Sequence, residues 1–197
     1  MKQLTLFVLL LASLTSGCSS ASDRAAGRPD TDGTGTSERA DTERTAAIYA
    51  SIVRQLVTKD HTFGRADPGF KKVFVLDGAV AGAENPFLTR NDRHPDHLFR
   101  PTVKQRMADR LVDLPPLVFV SRRSAAVVGA KPGVSPGHVA NGGVLLTLGP
   151  IEGEGSKVQV GANLWINGLA GHWLRYVAEL RGGGWRVIGT TGPVAIS

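Results

Sequence analysis

The sequence predicts an α+β domain, on three observations. Ile48, Ile52, Val53, Leu56 and Val57 recur at helical spacing. "KKVFVLDG" (71–78) and "LVFV" (117–120) are short apolar runs bounded by turn residues. Four further segments between Val144 and Gly189 alternate or run apolar, separated by glycine-rich turns.

The first helix can be capped by Asp41 or Thr42, whose side-chain oxygens suit the free N–H groups of a helix start. Its apolar stripe makes it the first core element. Residues 58–70 contain Gly64, Pro68 and Gly69 and read as loop, before the strand 71–78 ends at the turn signal Asp77-Gly78. Residues 79–100 are rich in Gly, Ala, Asn, Asp, His and Pro, long for a connection. Pro101 then opens a second, shorter helix with Val103, Met107 and Leu111 on one face, stopped before Pro115-Pro116. After the buried strand 117–120, a Gly/Pro-rich excursion spans 121–143.

Segments 144–148, 157–166, 172–180 and 185–189 follow, with "GPIEGEGS", "NGLAG" and "RGGG" between them. They read as a four-stranded antiparallel meander. In its third strand Leu174, Tyr176, Ala178 and Leu180 share one face, and Trp173, Arg175, Val177 and Glu179 the other.

Helix, strand, helix, strand and a long meander closing on "YVAELRGGGWRVIG" (176–189) resemble the nuclear-transport-factor-two-like and cystatin-like folds. The resemblance covers residues 45–197 and implies a bent antiparallel sheet wrapped around the N-terminal helix. Such domains often carry a third helix, and the two long loops are additions. The fold hosts enzymes, binding proteins and immunity proteins alike, so it implies an architecture and not an activity.

Ahead of this domain stand Lys2, an apolar run from Leu4 to Leu14 and the small residues Thr15, Ser16 and Gly17. This is the layout of a signal peptide. This mostly apolar run of eleven residues falls short of the roughly 20 that a membrane-spanning helix needs. Thr15-Ser16-Gly17-Cys18 resembles the bacterial lipoprotein signal, with Thr15 where Leu or Val is usual. The resemblance implies that Cys18 is lipidated through its sulfur, becomes the new N-terminus and is acylated there too. Each buried CH₂ contributes about 0.8 kcal/mol, so two or more acyl chains hold firmly where one does not. Cys18 is the sole cysteine, so its lipidation leaves the domain without a disulfide.

Residues 19–44 hold Ser, Thr, Asp, Gly and Arg and no large apolar side chain. Such a segment buries too little to offset the entropy of ordering it and reads as a tether. The predicted organisation is a signal peptide over 1–17, a lipidated Cys18 and tether over 18–44, and one α+β domain over 45–197.

From Thr45 onward the chain carries 18 Lys/Arg against 11 Asp/Glu, a net +7. A basic exported domain attracts polyanions in general. Basic runs never exceed two residues, at Lys71-Lys72 and Arg122-Arg123, and the address excludes nucleic acid as a partner. The expected partners are the membrane, through the lipid, and an envelope polymer or protein. No cofactor is expected.

Several fragments invite a chemical reading. "GVSPG" (133–137) matches the hydrolase elbow G-x-S-x-G, but Pro136 lacks the N–H that must follow the nucleophile, so Ser135 is a loop serine. His94, His97 and Asp96 or Asp92 are metal-ligand types in one short stretch, with His61 as a third histidine from elsewhere. Pro95 prevents a helix that would preset them. Asp77 at a strand end and His172 at a strand start are the acid/base pair available to a cavity enzyme. Gln159, Asn163, Trp165, Trp173 and Arg175 gather on the polar face of the meander, a surface that could stack a sugar or seat a protein.

The sequence therefore predicts a non-catalytic, lipid-anchored binding or accessory domain outside the cytoplasmic membrane. The alternative is a small cavity enzyme using Asp77 and His172.

Overall fold

The computed structural model describes residues 33–61, 69–89 and 94–197. The signal segment, Cys18, the first part of the tether and Asp92 lie outside the described residues. Gly33–Ser197 packs as one unit.

Helix α1 (Gly33–Thr58) starts well before Thr45, so residues 33–44 of the expected tether are helical. Low apolar content alone does not decide whether this segment is ordered. This part of α1 is held by charge instead, against helix α3 (Pro101–Arg110). Arg100 reaches Glu38 at 3.1 Å and Asp41 at 2.5 Å, while Glu43 receives Arg106 at 2.8 Å and Arg110 at 2.9 Å. Its good helix formers, Ala, Glu and Arg, allow the extension. Farther along, Ile48, Ile52, Val53, Leu56 and Val57 are buried as the periodicity predicts.

Strand β1 (Lys72–Ala79) is followed by the short helix α2 (Pro86–Thr89), the two-residue strand β2 (His97–Leu98), α3 and strand β3 (Leu117–Val120). The excursion 121–143 is structured. It contains a 3₁₀ turn at Arg123–Ala125 and a hairpin of β4 (Val127–Lys131) and β5 (Ser135–Val139). Gly129, Gly133 and Gly137 take positive φ there, which lets so short and Gly/Pro-rich a stretch pair at all.

The meander is β6 (Gly143–Glu152), β7 (Lys157–Asn167), β8 (Ala170–Arg181) and β9 (Gly184–Ile196), each antiparallel to the next. β6 runs past its expected end at Leu148 by a register shift before Ile151, which accommodates Pro150. Gly182 and Gly183, at φ 58° and 77°, form the tight β8–β9 turn. β9 carries two register shifts along its pairing with β8.

The expected all-antiparallel sheet is corrected in the N-terminal half. β1 lies parallel to β6, with Val73 beside Val144 and Val75 beside Leu146, and parallel to β3, with Leu76 beside Val120. The main sheet therefore runs β3-β1-β6-β7-β8-β9 and is mixed. β1 is buried on both faces, the condition under which parallel strands occur, and its unbroken "VFVL" reflects it.

Each face has its own core. α1 and α3 cover Val73, Val75, Leu146, Val160, Leu164 and Tyr176 on one side. On the other, Phe74, Leu76, Leu145, Trp165 and Trp173 pack beneath the excursion with Ala126 and Val139.

Candidate functional site

The alternation predicted for β8 holds: Leu174, Tyr176 and Ala178 enter the helix-side core and Trp173 the opposite one. The expected stacking surface is nevertheless filled. Trp165 and Trp173 are only 5% and 3% exposed. The 121–143 excursion lies over them, and Arg123 stacks on Trp165 at 3.5 Å from the ring centre. Asn163 is buried and donates from Nδ2 to the Ala83 carbonyl at 2.8 Å. Of the five meander residues expected to bind, Gln159 alone is fully exposed.

Arg175 is held between two carboxylates, Glu84 and Glu152. Its cross-strand neighbour is Gly161, whose missing side chain leaves room for the Glu84 carboxylate above the sheet. This clamp ties the 81–84 turn to the meander and uses the guanidinium that was expected to meet a ligand. Neither acid was anticipated, because each lies in a turn segment far from Arg175 in sequence.

Asp77 and His172 do not form an acid/base pair. They lie on β1 and β8, with β6 and β7 between them, a separation of about 14 Å at the usual strand spacing. Asp77 faces Lys104 at 4.0 Å. His172 meets the Asp60 backbone carbonyl through Nδ1. The Asp60 carboxylate accepts the Tyr176 hydroxyl at 2.9 Å and Gln55 Nε2 at 3.1 Å. Asp60, just past α1, thus links helix and sheet. The one available signal for it was Tyr176 itself: a phenol placed in a core needs a hydrogen-bond partner.

Burial pushes the Tyr176 hydroxyl well above the usual phenol range, and the adjacent Asp60 charge acts in the same direction. Tyr49, whose hydroxyl donates to the Gly149 carbonyl at 3.0 Å, is raised by burial as well. On the surface, the hydrogen bond from Arg54 holds the Asp113 carboxyl down at about 2.

The metal-ligand types 94–97 do not converge either. His94 and His97 are exposed, and Asp96 Oδ2 accepts the Ala81 N–H at 2.8 Å. Among the described residues no three His, Cys, Asp or Glu side chains come together. Ser135 Oγ accepts the Gly137 N–H at 3.2 Å and so closes a turn.

The described residues form two notable surface concavities. A groove of about 360 Å³ between α1 and the start of β9 is lined by Arg54, Lys59, Arg110 and Arg186. Two of these cations are already engaged, Arg54 by Asp113 and Arg110 by Glu43. A larger cleft of about 760 Å³ lies between the 3₁₀ turn and the β4–β5 hairpin, with Arg123, Ser124, Val127, Lys131, Val134 and Ser135 on its walls. The chain contributes no Asp or Glu anywhere between Leu114 and Ile151. Lys131 and the neighbouring Arg122 are exposed and make no ion pair with a described residue.

Neither a family model, a curated relative nor a solved structure matches the chain.

Proposed function

We propose that this chain is a lipid-anchored extracytoplasmic domain that binds and does not catalyse, with the cleft beside the β4–β5 hairpin as its binding face. The observation carrying the reading is the contrast between interior and surface. Both faces of the sheet are filled by apolar side chains, and its polar residues brace elements together, whereas the cleft is open, cationic and free of acids. Cavity catalysis needs a positioned acid/base pair, and Asp77 and His172 are each committed to other partners. The envelope address rests on Thr15-Ser16-Gly17-Cys18. From the nuclear-transport-factor-two-like and cystatin-like resemblance we retain a helix held by a meander, with the parallel β1 as a departure.

The test has two parts. Cys18→Ala in the full chain is expected to move it from the membrane fraction to the soluble one. Lys131→Glu is expected to abolish retention on purified envelope fragments, with Asp77→Asn and His172→Ala retained like the wild type. Retention insensitive to Lys131 and lost with Asp77 or His172 overturns the binding reading.

A further inference from the structure

We infer that the end of the sheet formed by the β4–β5 hairpin and the β7–β8 turn docks onto an anionic phospholipid bilayer. The inference rests on the envelope address proposed above and names the partner. β5 pairs with β7 through His138 and Asn167, where β7 ends. Continuing that antiparallel register carries the hairpin tip beyond the β7–β8 turn, and Pro136 packs on Gly168, where an added Cβ would lie 2.5 Å from Pro136 Cγ. Two tips are thereby held side by side at one end of the sheet.

Both tips carry aliphatic side chains in water: Val134 is 81% exposed and Leu169 89%. Ile196, paired with His172 close to the same turn, is 64% exposed. The turns at the opposite end are built otherwise. They hold Gly153, Glu154, Gly155 and Ser156 between β6 and β7, and Gly182-Gly183 between β8 and β9.

Charge follows the same division. Glu152, Glu154 and Glu179 stand at the far end, whereas 114–151 and 155–178, which include the hairpin and the β7–β8 turn, contain no Asp or Glu. The Asp60 carboxylate, whose backbone carbonyl meets His172, is engaged by Tyr176 and Gln55. Lys131, whose carbonyl accepts the Val134 N–H at 3.0 Å, remains exposed beside the hairpin tip.

Exposed aliphatic side chains on neighbouring tips, with the Lys131 ammonium beside them, suit the boundary between headgroups and acyl chains. There the apolar groups leave water while the ammonium stays at the phosphates. A protein partner would need a broader apolar patch or a concave seat for these separate side chains.

The experiment uses the full chain with Cys18→Ser and one new cysteine, Leu169→Cys, carrying an environment-sensitive fluorophore. A second label at Val112→Cys serves as control, since Val112 is 81% exposed but follows α3, next to Asp113. Reading the label locally separates this contact from the apolar N-terminal segment. Vesicles of phosphatidylglycerol and phosphatidylcholine in equal parts are expected to shift the emission at 169 to the blue and leave 112 unchanged. Phosphatidylcholine alone is expected to shift neither label. Lys131→Ala should weaken the response about five-fold, high salt should suppress it, and Val134→Asp should remove it.

An unchanged spectrum at 169 while the vesicles carry the protein overturns the inference. So does a shift produced without vesicles by raising the protein concentration, which would make a second copy the occupant. A shift produced only by soluble poly(glycerol phosphate) also overturns it, yet leaves the binding reading standing. Loss of envelope retention in every format overturns both.

Discussion

Glu84 occupies the space that a side chain at Gly161 would fill: an added Cβ falls 1.9 Å from Glu84 Oε2. The same carboxylate pairs with Arg175, the residue opposite Gly161 on β8. Gly161→Ala should therefore expel Glu84 and cost about 1–3 kcal/mol, the usual penalty for overpacking. In a Glu84→Ala background the same methyl should cost far less. Denaturant melts of the four chains give the coupling directly, and additive effects would refute the arrangement.

The hydrogen bond from Tyr176 to Asp60 joins the sheet to the end of α1. Tyr176→Phe should destabilise the domain by about 1–2 kcal/mol, because a half-buried carboxylate oxygen loses a donor while Gln55 remains. Amide exchange should quicken at the C-terminal turn of α1 before it does in β6 or β7.

Alkaline pH should act through the two tyrosines, which are the only ones in the chain. Both are raised in the folded state, so below pH about 10 they are protonated in folded and unfolded chains alike and their contribution is fully present. Above that value the unfolded chain alone loses the protons. Stability should then fall by about 1.4 kcal/mol per pH unit for each tyrosine. Phenolate absorbance should appear together with unfolding, and Tyr49→Phe should roughly halve the slope.

At the acid end Asp113 should titrate at about 2 by carbon-detected NMR, because Arg54 hydrogen-bonds its charged form. Its contribution is present above the ordinary carboxylate value and lost as pH falls through about 2. Arg54→Ala should raise it toward the ordinary range, with the backbone hydrogen bond still holding it partly down.

The early turns of α1 depend on Arg100, which contacts both Glu38 and Asp41. Arg100→Ala should cost less than about 1 kcal/mol overall, since these pairs are exposed. Exchange protection should be lost from Glu38 to Asp41 first, and high salt should mimic the substitution.

Much of the architecture was legible wherever burial writes itself as periodicity. The Ile48–Val57 stripe, the alternation of β8 and the Gly-Gly turn were of that kind. The parallel pairing of β1 was not, because "VFVL" and "LVFV" announce burial on both faces but not a partner or a direction. The start of α1 escaped because surface ion pairs hold it and leave no apolar trace. The paired tryptophans were placed on the right face and given the wrong environment: alternation tells which way Trp165 and Trp173 point, and nothing local says that the hairpin returns to cover them. Asp60, Glu84 and Glu152 became partners only through long-range contacts.

The parallel seating of β1 also bears on the order in which the chain comes together. Lys72 must find Gly143 about seventy residues downstream, and closing so long a loop costs about 2 kcal/mol more entropy than closing a five-residue turn. The β6–β9 hairpins close locally and can assemble early. β1 must wait for β6, and until then "VFVL" lacks the central strand it pairs with.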